Sequence, residues 1–491
     1  MGDAVIGIDL GTSSCKATAF DLAGRVISRS QVRYSTHTDP DGSVTQRSDE
    51  WVNGGIAALA ALATNSPRPL TVAGIGLSGQ IGTHVLLDAD SAPLHDAVTW
   101  QDGRAASVTE QLWSILDREQ TATELNTWLP SGAAWPLVRM LWMSQALPRE
   151  FGAAARLAQP KDLLLAALTG RLASDPSSWR GLVTPRGTVL ADALERLGLP
   201  DLTPELLPGT AEAGRLLPAI AARVGLSPDI PVFVGWNDLN AGLIGVGAIE
   251  ESDGFDVGGT SEHIGVVSRH RGDGFRAVTV PQHGVATDRY TVYGVTSNAG
   301  SAVDWMRRVL PEARDADEIL AATAGASDPL LFLPYLYGER APVWDADAAG
   351  AFVGLRTGHG PLELGRAVLE GIAFNLRQIL DGLPAHPELT AIRTTGGTAS
   401  SAAWNQVKAD ILRRPLLTTA ESDSSSLGAA ITAALGVGAF DDITAAVHAM
   451  VHEARVFEPD PASADHYDEL YLDFRRLYPA LTETTHRLRR I

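Results

Sequence analysis

The sequence predicts an α/β protein of two related lobes, each carrying a mixed sheet flanked by helices. Two observations carry this prediction. Near the N-terminus, apolar β-branched runs are cut by Gly/Ser/Thr turns, the pattern of an antiparallel meander. Past the middle of the 491 residues the pattern returns: Asp9-Leu10-Gly11-Thr12-Ser13-Ser14 is echoed by Asp256-Val257-Gly258-Gly259-Thr260-Ser261. A motif repeated in equivalent surroundings is the signature of a duplicated unit.

The elements follow in order. Residues 4–8, 16–20 and 25–27 read as three strands, separated by turn clusters at 11–14 and 21–24. A helix is expected over 48–64, with Ser48 as N-cap and Asp49 and Glu50 in its first turn. A strand follows over 71–77. Residues 232–236 read as a strand leading into a Gly/Ala-rich helix start. In the second half, 254–257 and 263–267 flank the second Gly-Thr-Ser tip. Residues 445–491 read as a charged helical tail. The lobes are expected to be 1–249 and 250–491, dividing near Glu250-Glu251-Ser252 without a low-complexity linker.

Composition narrows the partners. There are 39 basic and 58 acidic residues, a net charge of −19. That balance disfavours nucleic acid and anionic membrane surfaces. An anionic ligand would have to be held by backbone N–H groups and a metal ion. One cysteine, Cys15, excludes an intrachain disulfide and suggests a reducing compartment. There is no run of about 18 apolar residues and no basic n-region before Asp9, so a cytoplasmic protein is expected.

Among chemical motifs, the P-loop pattern is absent. Gly74-Ile75-Gly76-Leu77-Ser78-Gly79 matches Gly-x-Gly-x-x-Gly, but the residues after it read as strand and turn rather than helix. A dinucleotide site needs a helix there, which disfavours the oxidoreductase reading. The paired Gly-Thr-Ser hairpins carry more: each gathers N–H and O–H donors at one point, suiting a phosphate chain approached from two sides. Asp9 faces the first hairpin. A carboxylate beside phosphate donors is repulsive unless a cation lies between, and Mg²⁺ held through water is the natural cation. Asp238, at a strand end, is placed to accept a proton from a substrate hydroxyl; a helix N-cap is the competing role.

These motifs, in this order with Ser78-Gly79-Gln80 and Gly396-Gly397, resemble the FGGY carbohydrate kinases over nearly the whole chain. The most specific stretch is Gly350-Ala351-Phe352-Val353-Gly354-Leu355, followed by Glu363-Leu364 and Ala367-Val368-Leu369-Glu370. In the N-terminal signature, Arg139 stands where Lys is usual. The resemblance implies two ribonuclease H-like lobes of the actin/hexokinase superfamily, with ATP and sugar in an interlobe cleft. It implies Asp238 as catalytic base and Asp9 as the magnesium-linked carboxylate. Thr12, Ser13 and Ser14 match the first phosphate loop, and Gly259, Thr260 and Ser261 the second. Gly300, Gly396, Gly397, Thr398 and Ser401 match positions around the nucleoside.

Gln80, Ile81, Gly82, Asp102, Asn237 and Leu239 are the expected substrate positions. Relatives that act on glycerol carry Arg-Glu where this chain has Ile81-Gly82, so glycerol is expected to be a poor substrate. Gly82 is expected to leave room for a longer chain. Trp100-Gln101-Asp102-Gly103-Arg104 resembles xylulose kinases, which points to a ketopentose such as xylulose. Gly338-Glu339-Arg340-Ala341-Pro342-Val343-Trp344 resembles gluconate kinases more closely. The reading is an ATP- and Mg²⁺-dependent kinase of a sugar, polyol or sugar acid. The alternative from another class is an ATP-switched actin-like binding protein. Homodimer formation stays open.

Overall fold

The computed structural model describes residues 3–125, 132–184, 186–270, 278–281, 289–313, 315–324, 328–383 and 389–489. Two units emerge. One joins Met1–Ile249 to Asp423–His452; the other joins Glu250–Thr279, Arg289–Ser422 and Glu453–Ile491.

The first unit holds a six-stranded sheet. Its strands are β1 (Ala4–Leu10), β2 (Ser14–Phe20), β3 (Val26–Arg33), β4 (Val72–Gly79), β5 (Glu212–Arg215) and β6 (Pro231–Asn237), in spatial order β5-β6-β4-β1-β2-β3. The meander β1–β2–β3 is antiparallel, as its turn chemistry predicts. β4 then lies parallel to β1, and β6 parallel to β4, with helices supplying the crossovers. β1 is buried along its whole length, so it reads as a continuous apolar run rather than an alternating one.

The second unit repeats the plan. β7 (Asp253–Gly258), β8 (Glu262–Ser268), β9 (Val278–Pro281), β10 (Tyr290–Thr296), β11 (Ala391–Gly396), β12 (Leu416–Thr419) and β13 (Glu453–Phe457) form a sheet in the order β9-β10-β8-β7-β11-β12-β13. β7, β8 and β10 are the antiparallel meander. β11 and β12 continue it in parallel, and β13 closes the edge antiparallel. The two Gly-Thr-Ser tips therefore occupy equivalent turns of two ribonuclease H-like sheets.

Three local expectations need correction. The segment 423–452, assigned to the C-terminal lobe, packs in the first unit. The reason is close contact: a Cβ on Gly7 would stand 1.8 Å from the Ser426 carbonyl, and one on Gly76 would stand 1.9 Å from that of Ala429. These bare positions on β1 and β4 let the helix Ser424–Gly436 lie directly on the sheet. Gly76 thus serves packing within the Gly-x-Gly-x-x-Gly run. The tail is not all helix, because Glu453–Phe457 pairs with β12. Ser48 is the first helical residue of Ser48–Asn65 rather than its cap, and Arg47 at the N-cap makes no side-chain cap bond.

We expect Gly76→Ala to destabilise the protein by about 3 kcal/mol or more, since strand or helix must move to admit the methyl. Urea unfolding followed by circular dichroism checks this; an unchanged midpoint would contradict the packing.

Candidate active site

Strand pairing sets the first group of residues. Asp9, near the end of β1, lies between Lys16 on β2 and Ser78 on β4. Ser78 Oγ donates to Asp9 Oδ1 at 3.0 Å. Burial first, then the Asp423 carboxylate, pushes Asp9 up to about 7, against the pull of Lys16. Lys16 Nζ meets Asp423 at 3.3 Å. Among the described residues no three His, Cys, Asp or Glu side chains stand close enough to cage a metal. A cation bound mostly through water needs few protein ligands, and crowded carboxylates favour one. The site fits Mg²⁺ on those terms.

The first hairpin is tied down from outside. Thr12 accepts from the Trp100 indole at 3.0 Å through its hydroxyl and from Gln46 Nε2 at 2.6 Å through its carbonyl. Ser14 Oγ accepts from Gln31 at 2.8 Å, while Ser13 is exposed. Gln46 also fixes Gln80. Its Nε2 is used as a donor, so its Oε1 accepts from Gln80 Nε2 at 2.8 Å. That leaves Gln80 Oε1 buried and without a partner.

Asp238 is the first residue of the helix Asp238–Val246. It does not cap that helix: Asn237 does, accepting the Asn240 N–H at 3.0 Å. Asp238 Oδ1 takes the Leu239 N–H at 2.9 Å, and the Ile81 N–H also bonds its carboxylate. Burial raises its pKa to about 6, held back by those N–H groups and by the charge of Arg180. The residue is nonetheless partly exposed. A reachable carboxylate with a pKa near 6 is ionised at neutral pH and able to accept a proton.

Other expected substrate positions are placed differently. Asp102 is fully buried, and its carboxylate accepts from Arg104 Nε and Nη2 and from the Arg104 and Val44 N–H groups, leaving little acceptor capacity. Asn237 is 3% exposed and occupied by its cap and by Ser177. Gly82 has φ +78°, and a Cβ there would meet Ala134 at 3.0 Å. Ala134 fills the expected space, so Gly82 serves the turn rather than a longer substrate. Leu239 is buried and Ile81 partly exposed. His84 is buried beside Trp179, with its pKa held at about 3 by burial and by Arg139. It stays neutral at physiological pH.

The second group lies in the second unit around a cavity of about 480 Å³. Gly259, Thr260, Gly300, Gly397 and Ser401 line it together. Gly300 packs so tightly on the second hairpin that a Cβ would stand 2.4 Å from the Gly259 carbonyl. Gly396 adopts φ +93° against Gly258, and nothing lies within 4 Å of a Cβ built on Gly397. Ser261, which closes the turn through the Gly259 N–H at 2.9 Å, and Gly396 do not line the cavity. The Thr398 side chain lies outside the described residues. Sequence reasoning missed Asp317, Arg307 and Trp404, which also line the cavity. Asp317 holds Ser401 Oγ at 2.8 Å and the Ala403 N–H at 2.9 Å. No motif marks these residues, because three separate helices deliver them.

Two ribonuclease H-like lobes, each with a Gly-Thr-Ser hairpin, have the build of a sugar kinase of the actin/hexokinase type. Comparison with known proteins gives the family. The N-terminal domain of the FGGY family of carbohydrate kinases matches residues 4–245, and its C-terminal domain matches 256–437. The chain belongs to this family, whose members take their phosphoryl group from ATP. It is 30% identical to the xylulose kinase of Lactococcus lactis over 99% of this chain and 98% of that one. It is 27% identical to the gluconokinase of Bacillus subtilis over 95% and 94%. The gluconate kinase structure from Lactobacillus acidophilus superposes with TM-score 0.89 at 25% identity, covering 99% of this chain and 100% of that one. No helix among the described residues is long and apolar enough to cross a membrane.

Proposed function

We propose that this kinase phosphorylates a hydroxyl of an open-chain ketopentose, xylulose foremost, with Asp238 as the base. The observation that carries the mechanism is the relief of Asp238 from capping by Asn237, which leaves a reachable carboxylate with a pKa of about 6. Full-length similarity to xylulose kinases supports the substrate. The substrate oxygen attacks the γ-phosphorus of ATP, its proton passes to Asp238, and ADP leaves. The buried, unpartnered Gln80 Oε1 is the acceptor for a substrate hydroxyl, and the next residue, Ile81, gives its N–H to Asp238. The cavity of the second unit receives the nucleoside, and each Gly-Thr-Ser hairpin offers phosphate donors within its own unit. Mg²⁺ beside Asp9 would neutralise phosphate charge.

Gluconate is the weaker reading. The Gly-Glu-Arg-Ala-Pro run that favours it is structural: Glu339 is buried and accepts from Thr296 Oγ1, Asn375 Nδ2 and the Ser297 N–H.

A coupled ADP-release assay across xylulose, other ketopentoses, gluconate, pentitols and glycerol tests the reading. Glycerol should be at least ~30-fold poorer in kcat/KM than xylulose. Ile81 and Gly82 offer no side-chain partner, and each unpaired buried hydroxyl costs ~1–3 kcal/mol. Glycerol or gluconate as the best substrate would overturn the assignment.

A further inference from the structure

Behind Asp238 lies a chain of buried polar groups that the sugar and nucleotide sites do not use. Lys161 is 2% exposed and Asp162, Asp175 and Ser177 are at most 1% exposed. Lys161 Nζ meets Asp162 Oδ1 at 2.9 Å and Asp175 Oδ1 at 3.0 Å. Asp175 caps the short turn Pro176–Trp179: it accepts from the Ser178 N–H at 3.2 Å, from Ser178 Oγ at 2.5 Å, and from Ser177 Oγ. Ser177 Oγ in turn accepts from Asn237 Nδ2 at 3.1 Å. Asn237 caps the helix that begins at Asp238. The turn also ends next to Arg180, whose charge lowers the pKa of the Asp238 carboxylate.

We propose that Lys161, Asp175 and Ser177 form a positioning relay for the base, fixing Asn237, and through it the backbone of Asp238, in the orientation the phosphoryl transfer requires. The proposal rests on the reading of Asp238 as base. Its physical sense is economy of motion. A carboxylate on the first residue of a helix can swing with the strand-to-helix junction, and a base displaced by about 1 Å loses a large part of its rate. The Asn237 side-chain amide has two polar atoms: the oxygen serves the helix and the nitrogen reaches the relay, so the junction is held on both sides. A buried cation between two aspartates is costly to assemble for stability alone. Besides its bond to Lys161, Asp175 accepts three hydrogen bonds from the turn that reaches Asn237. Residues that orient a functional group in this way commonly carry 10–100-fold of activity although they never touch substrate.

The test is Ser177→Ala, which removes the link while leaving Lys161 and Asp175 paired. In the folded protein kcat with saturating xylulose and ATP should fall about 10-fold, while KM for ATP stays within about twofold. A second arm measures coupling. In an Asp238→Asn background the same change should cost less than twofold, because the base it positions is gone. Where Ser177→Ala does not fold, Asn237→Asp carries the same test: it keeps the cap oxygen and removes the amide donor. Wild-type kcat in a folded variant, or an equal loss in both backgrounds, overturns the relay. If Asp238→Asn itself keeps wild-type turnover, the base assignment fails instead, and the two failures are told apart.

Discussion

Asp238→Asn should lower kcat by at least ~10²-fold, the low end for a positioned general base. Affinity for ATP should change little, because the cavity proposed for the nucleoside is lined by residues of the second unit. The amide keeps the size of the carboxylate and helix capping belongs to Asn237, so the variant should fold. The wild-type pH profile follows from the same group. Burial raises Asp238 from the ordinary carboxylate value to about 6. A base must be ionised, so kcat is full above that value and falls about tenfold per unit as pH drops through it. In Asp238→Asn this acid limb should disappear. Steady-state kinetics from pH 5 to 8 check both points; wild-type turnover in the variant would show that another group takes the proton.

The second large effect is on stability. Lys408→Met should destabilise the protein by about 3–5 kcal/mol, the usual cost of leaving a buried charge unpaired. Lys408 is fully buried, with Asp256 at 2.6 Å and Glu262 at 2.9 Å. Burial works against its charge, yet Asp256 and Glu262 hold its pKa above the ordinary lysine value. Burial and Asp256 push Glu262 up to about 8, so Glu262 is mostly protonated at neutral pH. Lys408 is the cation that both carboxyl groups face, and methionine removes it. The melting temperature should fall by roughly 10 °C. Lys408 lies 5.1 Å from the Trp404 ring centroid, and Trp404 borders the cavity proposed for the nucleoside, so ATP affinity should weaken too. Calorimetry and ATP titration measure both; an unshifted melting temperature would contradict the triad.

Asp256 is the second-lobe echo of Asp9, and the comparison shows what sequence can carry. Both aspartates were visible as a repeat, and both sit near the end of the equivalent strand. Their environments diverge. Asp9 faces carboxylates and an exposed serine turn, whereas Asp256 is locked by a lysine 152 residues away. No spacing rule joins Asp256 to Lys408. The same holds for the relay behind Asp238: Lys161 and Asp162 are buried in the first turn of a helix, and no spacing in the sequence joins them to Asp238.

Glycines were legible as turns but not as contacts. Gly7 and Gly76 matter because of a helix near residue 430, and Gly82 because of Ala134. The family's C-terminal signature was the strongest match in the sequence, and it is a packing device here. Glu363 caps its own helix through the Gly360 N–H at 2.9 Å, and Glu370 binds Arg366 and the Tyr467 hydroxyl of the last helix. The hairpins and the strand-to-helix junction at Asp238 were readable because their chemistry is local. The cavity residues Arg307, Asp317 and Trp404 were not, because tertiary folding alone assembles them.

Phosphorus NMR of the protein with xylulose, ATP and Mg²⁺ tests the phosphorylation of an open-chain ketopentose most directly. The predicted result is one sugar phosphate monoester formed for each ADP, with little inorganic phosphate when xylulose is left out. Release of inorganic phosphate at the same rate with and without xylulose, and no monoester resonance, would contradict it.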